Sequence, residues 1–302
     1  MSEVRSLDLV DAHHHVWDPV TNYIPWLVDE PPIPFRYGDY RSIRRPYLPA
    51  DFRADAAPHR ILKSVYVETE WDPQDPIGEL RWIHAIAERD GLPNAVVAQA
   101  WLDREDVVQV LSATAEFPLS RSIRHKPASA RSPEDAKRGE SGSMDDPKWR
   151  EGYALLASHG LRFDLQTPWW HLDAACELAR DFPETMLVLN HTGLPSERSK
   201  EGLDAWRNAM SKLADEPNAV VKISGIGLPG EPWTAANNRP IVLDTIAMFG
   251  VERCMFASNF PVDSLCGNYA EILSGFSDIV ADLSDSDRHA LFVGNAERVY
   301  DI

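Results

Sequence analysis

The chain has 302 residues, 44% hydrophobic and 25% charged, with a formal net charge of −17 at pH 7. That composition describes a globular protein able to bury a sizeable core, and it excludes wholesale disorder. The acidic balance, without any cluster of Lys and Arg, argues against nucleic acid and anionic membrane surfaces as partners and leaves a small molecule.

Taken in chain order, the first element is residues 9–17, LVDAHHHVW. Period-two alternation puts Asp11, His13 and His15 on one side of an extended strand and His14 on the other. Two imidazoles at i, i+2 stand roughly 6.5 to 7 Å apart along the pleat, close enough to share one ion or one substrate oxygen. Residues 18–60 follow, rich in Pro and aromatics and without helical or strand period, and are expected to form a lid or a packed excursion. Residues 61–69, ILKSVYVET, then open a regular alternation. Helical spacing over 75–89 is followed by a strand over 95–103, a helix through Val107, Val110 and Leu111, and a strand over 119–126. The hydrophilic stretch 127–147 reads as a loop, and 149–159 as a helix.

The second half repeats the pattern. Strands are expected over 161–167, 185–193, 218–226 and 254–262, with helices over about 171–181, 199–215 and 237–249 and further helices to the end. Eight strands, each followed by a helix, predict a (β/α)8 TIM barrel with long loops after strands 1 and 4, one domain over 1–302. A doubly wound sheet is the alternative, weakened because no Gly-rich phosphate loop follows any strand.

In such barrels the chemistry sits where strands end. Polar residues there are His13 and His15, Glu68, Gln99 and Asp103, Arg124 and His125, Asp164 and Gln166, His191, Lys222 and Ser224, and Asn259 and Asp263. Ionisable groups at the ends of strands buried on both faces are expensive unless paired or functional, so their convergence marks a site. Lys222 is either a site residue or a structural partner of Asp164 or Glu68. Arg124 either grips a substrate carboxylate or ties down a neighbouring strand. Trp101 and Gln166 join Glu68, Arg124 and Lys222 as candidate substrate contacts.

Three cysteines, Cys176, Cys254 and Cys266, lie far apart without a C-x-x-C pair, so neither a disulfide framework nor a structural zinc knot is expected. Cys266 has no evident base beside it and reads as a plain thiol. A reduced, cytoplasmic setting follows, since the amino terminus has no apolar export core and no run of about 18 apolar residues occurs. A homodimer is the base-rate expectation.

DAHHHVWDP, SIRHK, LVLNHTG, VVKISG, MFASNFPVD and the ending GNAERVYDI together resemble the amidohydrolase superfamily. More narrowly they resemble its lactonase branch, which includes 2-pyrone-4,6-dicarboxylate lactonase and the sugar-acid lactonases. The resemblance implies that His13 and His15 bind a divalent metal or act on a substrate carbonyl without one, with His191 as the strand 6 partner. Strand 5 offers Asp164 and Gln166 where many members carry a metal-binding His, so a two-metal site is not expected. Where the family carries an Asp in a G-S-D-W-P type motif on strand 8, this chain has Asn259. A carboxamide orients water but takes no proton from it, which leaves Asp263 or a histidine as the base. The implied function is hydrolysis of a small lactone by water attack, using either no cofactor or one zinc-like ion at His13, His15 and His191. The alternatives are a metal-dependent decarboxylase or hydratase of the same superfamily, and a non-catalytic ligand-binding barrel.

Overall fold

A computed structural model describes residues 6–302. Eight strands form one parallel sheet in chain order: β1 (Asp8–His14), β2 (Arg60–Val67), β3 (Ala95–Gln99), β4 (Ser120–Arg124), β5 (Arg162–Leu165), β6 (Leu187–Leu189), β7 (Ala219–Ile223) and β8 (Cys254–Phe256). β8 returns to β1 through two backbone bonds. The Asn259 N–H donates to the His13 carbonyl at 2.8 Å, and the His15 N–H donates to the Phe260 carbonyl at 2.7 Å. The ring is a (β/α)8 barrel, and these bonds tie the backbone of His13 to that of Asn259 and the backbone of His15 to that of Phe260, the next residue along.

The strands are apolar on both sides because helices cover them. β6 and β7 are buried at every position. Helix Leu172–Asp181 buries Leu172, Ala175, Cys176, Leu178 and Ala179 and leaves Asp173, Glu177 and Arg180 in solvent, the one-sided stripe of an outer-layer helix. Starts are fixed locally: the Ser199 and Thr234 hydroxyls accept the N–H groups of Gly202 and Asn237 at the heads of helices Lys200–Ala214 and Ala235–Phe249. Among the described residues no helix is long and apolar enough to cross a membrane.

Three sequence expectations need correction. Strands 6 and 8 are shorter than their apolar windows, because His191, Thr192, Leu194 and Asn259 take positive φ values of 56°, 50°, 54° and 56°. A left-handed residue cannot continue a ladder, so neither strand can run through its site residue, and they end at Leu189 and Phe256, two and three residues before it. The segment 18–60 is not free of helix: it holds Pro25–Val28 and Pro49–Ala56, each with Pro in its first turn. Proline presets the helical φ there, while helices this short give no readable period. The expected helix over 149–159 is instead Pro147–Ala154 followed by a 3-10 turn, Ala157–His159. The two feet of the long excursion after β1 are clasped by an antiparallel bridge between Trp17 and Tyr47, with backbone bonds of 2.8 and 2.9 Å.

Candidate active site

The strand 1 histidines leave β1 fully buried, with His13 0% and His15 4% exposed. The His13 ring lies 5.1 Å from that of His15 and 4.6 Å from that of His191, centroid to centroid. His15 Nδ1 faces the Val67 carbonyl at 2.8 Å. A carbonyl only accepts, so Nδ1 carries the proton and Nε2 keeps its lone pair. His191 Nδ1 lies 2.9 Å from the Ser224 hydroxyl, and both ring nitrogens of His13 lack a protein partner. Burial holds all three imidazoles well below the ordinary value, reinforced by the positive charges of Lys222 for His13, Arg124 for His15, and Arg36 and Arg124 for His191. They are neutral at neutral pH. His14 faces elsewhere, stacked on Phe52 at 4.2 Å with Nε2 at Ser64. Asp11 does not join the cluster: its carboxylate accepts from the Ser258 N–H and hydroxyl and from the Tyr269 hydroxyl.

At the end of β8 the chain turns back through Pro261 and brings Asp263 beneath Asn259. Asn259 Nδ2 donates to Asp263 Oδ1 at 2.6 Å, and the Tyr37 hydroxyl donates to the same oxygen at 3.1 Å. Asp263 is 1% exposed, its Oδ2 has no partner, and burial pushes its carboxyl up to about 6. Because a carboxylate only accepts, the Asn259 amide is oriented with nitrogen toward Asp263 and Oδ1 away from it.

Arg124, 3% exposed, is committed to neighbouring strands. Its Nε donates to Glu68 Oε1, one terminal nitrogen to the Glu68 carbonyl at 2.8 Å, and the other to Gln166 Oε1 at 3.0 Å. The tying-down role foreseen for Arg124 is therefore present, and two of its five N–H groups stay uncommitted. Lys222 takes the structural alternative. It is fully buried, donates to Asp164 Oδ1 at 2.6 Å, and lies 4.8 Å from the Tyr300 ring centroid. Asp164 also accepts from Asn190 Nδ2 and the Tyr300 hydroxyl.

A cavity of about 260 Å³ opens over these strand ends. His15, His191, Asn259, Arg124, Glu68 and Gln166 line it from the barrel, and Trp17, Trp26, Phe35 and Arg36 line it from the residues after β1. The excursion is thus a lid. Its fold is fixed by the Trp26 indole N–H on the Thr69 carbonyl at 2.8 Å, by Trp26 and Phe35 stacked at 5.6 Å, and by Arg36 on the Gly225 carbonyl at 3.0 Å. Two expected contacts do not reach this cavity: Lys222 is sealed below it, and Trp101 lines a neighbouring cleft. Asp263 sits behind Asn259, and neither it nor His13, both expected catalytic residues, is part of the lining. Sequence reading missed Arg36, Lys126 and Glu70 as lining residues. Lys126 and Glu70 pair at 2.8 Å, and their only sequence signal was adjacency to Arg124 and Glu68. Cys266 is a buried thiol pushed up to about 12, first by burial and then by the Asp263 charge, which removes nucleophilic character.

Neutral imidazoles are zinc-type donors. Among the described residues, however, no group of three or more His, Cys, Asp or Glu side chains is arranged to hold a metal ion. In this arrangement the three histidines do not fit a resident ion, and no step is routed through one.

The amidohydrolase (Amidohydro_2) family model matches residues 10–302. The chain belongs to the amidohydrolase family. This amidohydrolase is 39% identical over 297 residues to the uncharacterized protein y4mH of Sinorhizobium fredii, covering 98% of this chain and 99% of the relative. It is 27% identical over 269 residues to an L-fucono-1,5-lactonase of Burkholderia ambifaria, covering 87% and 83% of the two chains. Among solved structures, an amidohydrolase of Burkholderia multivorans with bound zinc superposes with a TM-score of 0.77 at 24% identity, over 98% of this chain and 100% of that one. Family membership and the lactonase relative make this chain a hydrolase, and the solved structure shares its fold.

Proposed function

We propose that this hydrolase opens a small, uncharged, hydroxylated lactone. The observation that carries the reading is the pair of neutral imidazoles, His15 and His191, at the floor of a cavity whose cations are already matched. Arg124 is paired with Glu68, Lys126 with Glu70, and Arg36 stands 3.7 Å from Asp263. Matched charges favour a neutral polyol ring over a dicarboxylated pyrone, since a second anion would have to displace a buried one. The L-fucono-1,5-lactonase relative supports the same substrate class. Decarboxylation rests on likeness of fold alone, to a Rhizobium 2,6-dihydroxybenzoate decarboxylase at 11% identity and a TM-score of 0.60.

In this mechanism Asn259 Oδ1 accepts a hydrogen bond from the attacking water, and His15 Nε2 takes its proton. The water oxygen bonds to the lactone carbonyl carbon. Charge developing on the carbonyl oxygen is met by His191 Nε2–H, with the Ser224 hydroxyl donating to Nδ1, and by a free N–H of Arg124. The intermediate collapses by breaking the bond to the ring oxygen, which takes the proton held on His15. The product is one hydroxy acid. Trp17, Trp26 and Phe35 close the site from above and limit bulk water.

The test is proton release measured with a pH indicator across a panel of sugar 1,5-lactones and 2-pyrone-4,6-dicarboxylate. Turnover of a sugar lactone at rates well above spontaneous hydrolysis, with the pyrone slower, is the expected result. A panel without turnover overturns the reading.

A further inference from the structure

The cleft that holds Trp101 has a volume of about 310 Å³ and shares Trp26, Ile33 and Glu70 with the cavity above the histidines. Three indoles line it, Trp26 from the lid, Trp71 from the loop after β2 and Trp101 from the loop after β3. Two of them are held in place from outside. Trp26 is fixed by its bond to the Thr69 carbonyl. Trp101 lies 4.7 Å under the Arg104 guanidinium, which is itself anchored on Asp106 and on the Pro73 carbonyl. Rings fixed in this way bind without a large ordering cost.

The cleft offers several oxygen acceptors. Gln99 Oε1 is buried without a partner, and Asp29 and Glu70 add carboxylates. Glu70 is paired with Lys126, whereas Asp29 accepts only the neutral Tyr23 hydroxyl, at 3.0 Å, and keeps its charge. Flat aromatic faces beside oxygen acceptors suit a ring with C–H groups on its faces and O–H groups on its edge. The volume lies within the range of single-ligand pockets.

We propose that this cleft is a second-ring subsite, so that the enzyme takes a lactone carrying a further hydroxylated ring. The lactone lies at His15 and His191, the link passes Trp26 and Glu70, and the outer ring lies against Trp101. The proposal rests on the lactonase reading above.

The experiment compares kcat/KM for glucono-1,5-lactone and cellobiono-1,5-lactone in the wild type, Trp101→Ala and Trp101→Phe. The two-ring substrate is expected to be favoured at least tenfold in the wild type. Trp101→Ala should remove most of that ratio, and Trp101→Phe, which keeps an aromatic face, should retain it. A one-ring preference in the wild type, or a ratio unchanged in Trp101→Ala, overturns the subsite. Binding is read separately by tryptophan fluorescence with gluconate and cellobionate. Cellobionate should bind the wild type at least tenfold tighter than gluconate, and equal affinities overturn the proposal. If neither lactone is turned over while that binding difference holds, the lactonase reading fails and the second-ring site stands.

Discussion

Asn259 donates its amide N–H to Asp263 at 2.6 Å, and both side chains are almost completely buried at the end of β8. Asn259 faces the cavity and Asp263 lies behind it. In the proposed mechanism Asp263 is a positioning residue that fixes which end of the Asn259 amide meets water.

Asp263→Asn tests that division. The variant should lose about tenfold to a hundredfold in kcat, because the two facing amides no longer force one orientation. The wild-type rate should fall as pH drops through about 6, the value to which burial raises Asp263, and this acid limb should vanish in the variant. Stability carries the opposite sign. A carboxyl whose folded value lies above its unfolded value of about 3.9 contributes stability at low pH that is lost as pH rises through the folded value. The unfolding midpoint of Asp263→Asn relative to wild type should thus be higher at pH 8 than at pH 4.5. A difference of the reverse sign rejects the buried, unfavourable charge.

Gly225 has φ of +59°, and a Cβ there would meet His191 Nδ1 at 2.5 Å and the Arg36 guanidinium at 2.8 Å. Gly225→Ala should move His191 and the lid together and lower kcat/KM about a hundredfold, the cost typical of displacing a catalytic group by an ångström. Steady-state kinetics check this, and near wild-type kcat/KM would show that the lid and His191 yield without consequence.

Lys222 and Asp164 form a fully buried ion pair, with Tyr300 and Asn190 completing the carboxylate's shell. Lys222→Met strands that carboxylate and should cost about 3 to 5 kcal/mol in urea unfolding. Lys222→Met with Asp164→Leu should recover much of the loss. A double variant as unstable as the single would place the energy in packing around Tyr300.

Chelation separates the two roles of imidazole. With no group of three ligands arranged for an ion among the described residues, dialysis against a chelator should leave kcat within twofold. A loss above tenfold that zinc restores would reassign His13, His15 and His191 as ligands.

Period and spacing made the eight-strand ring and the meeting of His13, His15 and His191 legible, because buried parallel strands write continuous apolar runs that end in their site residues. The departure at Asn259 was legible only through the resemblance of its strand 8 motif to the amidohydrolase pattern. What could not be read were distances between residues far apart in the chain. Lys222 finds Asp164 below the cavity rather than a substrate within it, Trp101 falls outside the first cavity, and Arg36 reaches Gly225 from a segment with no periodicity. Side-chain reach and loop closure decide such contacts, and neither leaves a mark on hydrophobic pattern.

The clasp between Trp17 and Tyr47 pins both feet of the lid next to β1. Ring closure is settled at the β8 to β1 bonds, and the excursion between the two feet reaches the barrel through Trp26 on Thr69, Arg36 on Gly225 and Tyr37 on Asp263. Roof and floor are thereby coupled: exchanging residues 18–46 redraws the roof over the histidines and also removes the Tyr37 and Arg36 contacts on Asp263 behind Asn259.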